Sequence, residues 1–155
     1  MELPSLNIYL LIGGLLSLLA SGLHIACIVG GADWLRFFGA GEGLARMAER
    51  GSWYPGVVTL LIGGVLMVWG VYALAGAGAG ADALNAGAGA PLALPFVKWI
   101  LLAITSVYVL RGALPFLVGV AKPEILVPFT IWSSLICLVY GAFHVVGLVQ
   151  VWGKL

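Results

Sequence analysis

The side chains able to do chemistry in this chain are an imidazole, a guanidinium, a hydroxyl and a set of loop charges. His24, Arg111 and Ser133 lie inside long apolar runs. Asp33, Arg36, Glu42, Arg46, Glu49 and Arg50 fall in one polar stretch, Asp33–Pro55, which reads DWLRFFGAGEGLARMAERGSWYP and holds six of the thirteen charged residues. Counted along the apolar runs, His24, Thr59, Arg111 and Ser133 come to the same depth as these charges. A cation, a titratable ring and carboxylates under a rim of Trp34, Trp53 and Tyr54 would suit an anionic headgroup or a small acid. The candidate ligand set is therefore His24, Asp33, Arg36, Glu42, Arg46, Arg50, Arg111 and Ser133. The competing reading is structural. In it Arg111 pairs with Asp33 or Glu42 to fasten the stretch to the scaffold, His24 makes one hydrogen bond to a neighbouring helix, and the loop charges form a solvated face. An ionisable group inside a membrane span favours function by default, which keeps the ligand reading open.

Other chemistries find less support. Two histidines invite a bis-histidine haem, whose ligands must approach at similar depth. His24 and His144 are separated by roughly 15–20 Å along the membrane normal at the helical rise of 1.5 Å per residue, so a shared haem is not expected. Cys27 and Cys137 sit in apolar runs without C-x-x-C spacing and read as small buried side chains. The chain lacks a phosphate-loop signature and an H-E-x-x-H; GAGEG has neither a strand before it nor a dinucleotide-binding helix after it. No cofactor and no metal is expected.

The elements that must position these residues follow from composition. The 155 residues are 63% hydrophobic and 8% charged, against about 25% charged in soluble domains. So few charges cannot cover a water-facing surface, and lipid must solvate much of the protein. The net charge of +1 gives no basis for a nucleic-acid partner. Crossing a hydrocarbon core takes about 20 helical residues. Four segments meet that length, about 6–29, 55–75, 96–120 and 125–151. The expected fold is all-α, a single four-helix transmembrane bundle with an amphipathic surface segment between helices 1 and 2. The N-terminus lacks a basic region before its apolar run, so the first segment is expected to be retained as a helix.

Within the spans, polar and small residues recur at helical spacing: Ser17, Ser21, His24 and Cys27 in the first, Gly56, Thr59, Gly63 and Gly70 in the second, Thr105, Tyr108 and Arg111 in the third, Ser133, Cys137, Tyr140 and His144 in the fourth. Such stripes face other helices rather than lipid. Gly39, Gly41 and Gly43 should break the chain after the first span. A short helix should start at Glu42, with Glu42, Arg46 and Glu49 on one face and Leu44 and Met47 making its apolar contacts. The second connection, GAGAGADALNAGAGAPLALP, reads as a low-complexity linker. Arg111 is the only charge well inside a span, where it costs at least ~2.5–3.5 kcal/mol unless paired or hydrated. Pro115, one turn later, should kink the helix and free a carbonyl. Arg36, Arg46, Arg50 and Lys122 lie on one side, against Lys98 and Lys154 on the other. This bias puts the first and third loops in the cytoplasm and the termini outside.

The run Arg36–Pro55, with WSSLICL at 132–138, resembles segments of small four-helix inner-membrane proteins of Gram-negative bacteria. That group has no assigned activity, so the resemblance implies fold and location only. In Arg46, Arg50, Tyr54 and Pro55, with Tyr108 and Arg111, the chain bears a second, weaker resemblance to the membrane-associated eicosanoid and glutathione metabolism family. The chain reads Arg50-Gly51-Ser52-Trp53 where that family carries Asn-x-x-Glu, which puts glutathione binding in doubt. The expectation is a non-enzymatic membrane module, either the partner of a larger complex or a lipid-binding scaffold, with the bilayer and a homo-oligomer or membrane complex as partners. The alternatives are a membrane enzyme or binding protein with an anion pocket on the first-loop side, and an oligomeric solute carrier or channel.

Overall fold

The computed structural model describes residues 6–78 and 94–155. Among them the regular secondary structure is entirely helical: α1 (Ile8–Phe37), α2 (Glu42–Glu49), α3 (Tyr54–Gly76), α4 (Val97–Ala121), a 3₁₀ turn (Pro123–Ile125) and α5 (Pro128–Val151). The four long helices are each long and apolar enough to cross a membrane. The protein is thus an all-α integral membrane protein built on four transmembrane helices. Large apolar side chains such as Leu61, Val120 and Val149 stand exposed along them, as lipid-facing residues must. The linker reading of the second connection, with Asp82, falls mainly on residues outside those described.

The helices begin and end close to the expected positions, with one exception. α1 runs on to Phe37 instead of stopping near Val29, and so carries Asp33 and Arg36 in its last turns. Its path changes at Gly31, whose backbone (φ 66°, ψ −148°) lies outside the helical region, in a conformation that glycine adopts without strain. Gly30 has the ring of Trp34 packed directly on it. Positive φ at Gly39 and Gly41 then ends the segment as expected, whereas Gly43 is not a breaker but lies inside α2.

The chain divides into two compact units, one of Ser17–Val68 and one of Met1–Leu16 with Trp69–Leu155. In the first, α1 and α3 are joined by a Ser21 hydroxyl that donates to the Gly63 carbonyl at 2.7 Å. The missing side chain of Gly63 leaves room for the Cβ of His24. α2 buries Ala45 against Cys27 and Leu35, with Ala32, Phe38 and Ala48 around them. The small side chains of Ala45 and Ala48 make this contact, where Leu44 and Met47 were expected; Met47 stands exposed.

In the second unit small residues allow backbones to meet. A Cβ on Gly147 would lie 2.6 Å from Leu10 Cγ and 2.9 Å from the Leu10 backbone nitrogen. One on Gly112 would lie 2.9 Å from the backbone nitrogen of Leu138, and one on Gly14 3.0 Å from the Gly70 carbonyl. Asn7 opens α1 as a cap: its Oδ1 accepts from the Leu10 N–H at 2.9 Å, and its amide donates to Gln150 at 2.9 Å. Its backbone N–H donates to the Ala77 carbonyl, so one residue ties the start of α1 to the end of α3 and to α5.

Candidate anion site around Arg111

The loop charges come together, but chiefly on one another. Arg36 forks onto Glu42, with Nε 3.0 Å from Oε2 and Nη2 3.1 Å from Oε1. Its Nη1 reaches Glu49 at 2.8 Å and Asp33 at 3.6 Å. Arg46 donates to the same Glu42 at 3.0 Å. Asp33 is almost fully exposed, and Arg50, also exposed, makes no ion pair among the described residues while its backbone closes α2. Two guanidiniums hydrogen-bonded to one carboxylate hold Glu42 well below its ordinary range, at about 2, through Arg36 first and Arg46 second. Glu49 is lowered by its hydrogen bond from Arg36. This network clips α2 to the last turns of α1. Its arginines already face carboxylates, so the structural reading fits these five residues better than a ligand site does.

The clip has a pH signature. Carboxylates whose protons are held less tightly in the folded state stabilise it above their ordinary titration range, and that stabilisation is lost as pH falls. For Glu42 the loss runs from about 4.5 down through about 2. The protection of the Glu42–Glu49 amides, measured against their intrinsic exchange rates at each pH, is expected to fall over that window, and Glu42→Gln is expected to lower it already at pH 7. Protection of α2 in the wild type that stays constant with pH would contradict the clip.

The histidines are placed by their own helices. Nδ1 of His24 lies 2.7 Å from the Ala20 carbonyl, and Nδ1 of His144 lies 2.8 Å from the Tyr140 carbonyl. A carbonyl only accepts, so Nδ1 of each ring carries a proton and donates. His144 is fully buried, and its Nε2 has no hydrogen-bond partner among the described residues. The ring fits because Gly13 has no Cβ, which would stand 2.8 Å from the imidazole. Tyr108 packs on the same ring and also meets Trp69 and Tyr140.

Arg111 differs from the other cations. Thr105 and Tyr108 are buried as expected, but the next buried position on that stripe is Gly112, and Arg111 lies a residue to the side and is exposed. A helix turns 100° per residue, so one step takes the guanidinium out of the core. The same step separates Ser133, partly exposed, from the fully buried Ser134 on α5. Arg111 reaches both hydroxyls at long range, Nη2 to Ser133 at 3.4 Å and Nη1 to Ser134 at 3.5 Å. Ser133 in turn donates to the Thr130 carbonyl at 3.2 Å. Among the described residues no carboxylate pairs with Arg111.

No family model, curated protein or solved structure matches this chain. The reading therefore rests on geometry. Beside Arg111 runs a groove of about 390 Å³ between α4 and α5, lined by Arg111, Leu114, Pro115, Val118, Ile125 and Thr130. Pro115 has no N–H, so the carbonyl of Arg111, four residues earlier, lacks its helical donor. One cation, a hydroxyl and a freed carbonyl thus border an apolar trough. Of the predicted set, Arg111 and Ser133 contribute here. The sequence reading missed Thr130, Ser134 and the capping Asn7. For Asn7 the signal was present, an asparagine immediately before an apolar run.

Proposed function

We propose that this protein is a non-enzymatic membrane module that holds an anionic group from outside the chain against Arg111. The observation that carries this reading is an exposed guanidinium within a helix able to cross a membrane, with only two long hydroxyl contacts and no described carboxylate. Left alone such a charge is costly in lipid, at least ~2.5–3.5 kcal/mol on insertion scales, and an external anion removes that penalty. Of the guanidinium's five N–H donors most remain for that anion. An enzymatic reading has less support: His144 is sealed by Gly13 and Tyr108, and Ser133 directs its proton to a carbonyl rather than to a base. Basic residues Arg36, Arg46, Arg50 and Lys122 support placing the first and third loops in the cytoplasm. The resemblance of Arg36–Pro55 supports a bacterial inner membrane.

The test is native mass spectrometry of the protein released from native membranes. The wild type is expected to carry a reproducible extra mass, lipid or polypeptide, that Arg111→Ala loses while its helicity is unchanged. A wild type that arrives bare, or a mass retained by the variant, would overturn the reading.

A further inference from the structure

The guanidinium does not sit level with its own backbone. Gly112, the next residue, packs at the height of Leu138 on α5. The Arg111 side chain nevertheless ends beside Ser133 and Ser134, four to five residues nearer the start of α5. At the helical rise this is a climb of about 6–7.5 Å. It leaves the charge about 8 Å inside Pro128, where α5 begins. An arginine that climbs in this way is snorkelling towards the polar boundary of one leaflet. A partner helix with a carboxylate at mid-membrane would be met by a side chain extended at the level of Gly112. A lipid headgroup is met by one raised to the interface.

The trough tells the same story. Its walls, Leu114, Pro115, Val118 and Ile125, run from the guanidinium towards the end of α4 and the start of α5, with Thr130 at the polar end, so the groove opens the charge to the headgroup layer. Among the described residues no carboxylate lines it; Glu124, next to Ile125, is exposed but is not part of the wall. A zwitterionic headgroup would bring its own cation towards Arg111 with no anion in the groove to receive it. An acidic headgroup brings only the charge that Arg111 lacks, and its hydroxyls can donate to the freed Arg111 carbonyl.

Resting on the function proposed above, we infer that the group held by Arg111 is the phosphodiester of an acidic phospholipid from the leaflet in which α5 begins, reaching the guanidinium through the groove of Val118, Ile125 and Thr130. The test uses the full chain in discs of equal parts phosphatidylglycerol and phosphatidylcholine with identical acyl chains, and native mass spectrometry counts which lipid is retained. The wild type is expected to enrich phosphatidylglycerol about fivefold, the scale of one basic residue near an anionic surface. Arg111→Ala is expected to abolish the enrichment. Val118→Trp, which fills the trough and leaves the charge, is expected to lower it. Equal retention of both lipids by the wild type, a comparison that needs no variant, overturns the inference. If instead native membranes yield a polypeptide adduct that Arg111→Ala loses, the lipid inference falls and the module stands. If Arg111→Ala changes neither experiment, both fall.

Discussion

Gly147→Leu is expected to be the most damaging single change in the transmembrane part, lowering stability by about 1–3 kcal/mol or more. The reason is the identity of the neighbour. A Cβ at Gly147 would press on Asn7 Oδ1 and on the backbone nitrogen of Leu10, and the latter cannot swing aside like the end of a side chain. The added side chain would also drive apart the Asn7 contacts that tie α1 to α5. The measurement is thermal unfolding in detergent, followed by circular dichroism. Gly22→Leu is the control: nothing lies within 4 Å of a Cβ there, and a shift within about 0.5 kcal/mol is expected. Equal midpoints for the two variants would show that the α1–α5 approach is not as close as described.

Gly31→Val is expected to have the second largest effect, and a more local one. At φ 66° and ψ −148° a β-branched residue is strained by about 1–3 kcal/mol, although there is space for its side chain. The strain is relieved by straightening α1, which turns Asp33 and Arg36 away from α2. Rapid amide exchange throughout Glu42–Glu49 at neutral pH is therefore expected, with exchange in α4 and α5 unchanged. Gly31→Ala should do the same more weakly, since strain at positive φ affects any side chain. Protected α2 amides in Gly31→Val would mean that the bend does not set the clip.

The outline of the fold was legible because membrane spans announce themselves by length: four apolar runs of about 20 residues leave little choice. The charge pairs of α2 were legible for a similar reason, since Glu42 and Arg46 are one helical turn apart. Finer decisions were hidden by the pitch of the helix. Arg111 and Gly112, or Ser133 and Ser134, are neighbours in sequence, and each pair is split between surface and core by one 100° step that an all-apolar background does not mark. The bend at Gly31 was hidden because glycines are common in these spans and its backbone angles leave no trace in residue type. Gly13 beside His144 was hidden because the two are far apart in the chain, and only packing brings a missing Cβ to an imidazole.

One habit of these helices bears on how the protein is made. Thr105 donates to Leu101, Ser106 to Leu102, Ser133 to Thr130, and both histidines to the carbonyl four residues back. Each of these donors is satisfied within its own helix. A segment leaving the insertion machinery therefore needs no later helix to shelter them, and can enter the bilayer singly as it is synthesised. Ser21 of α1 is an exception, since it donates to Gly63 of α3, and α4 is the segment whose charge is left uncovered, because Arg111 has no such partner in its own turn. Its entry into the membrane should wait for the hydroxyls of α5, so the last two helices are expected to cross as a pair.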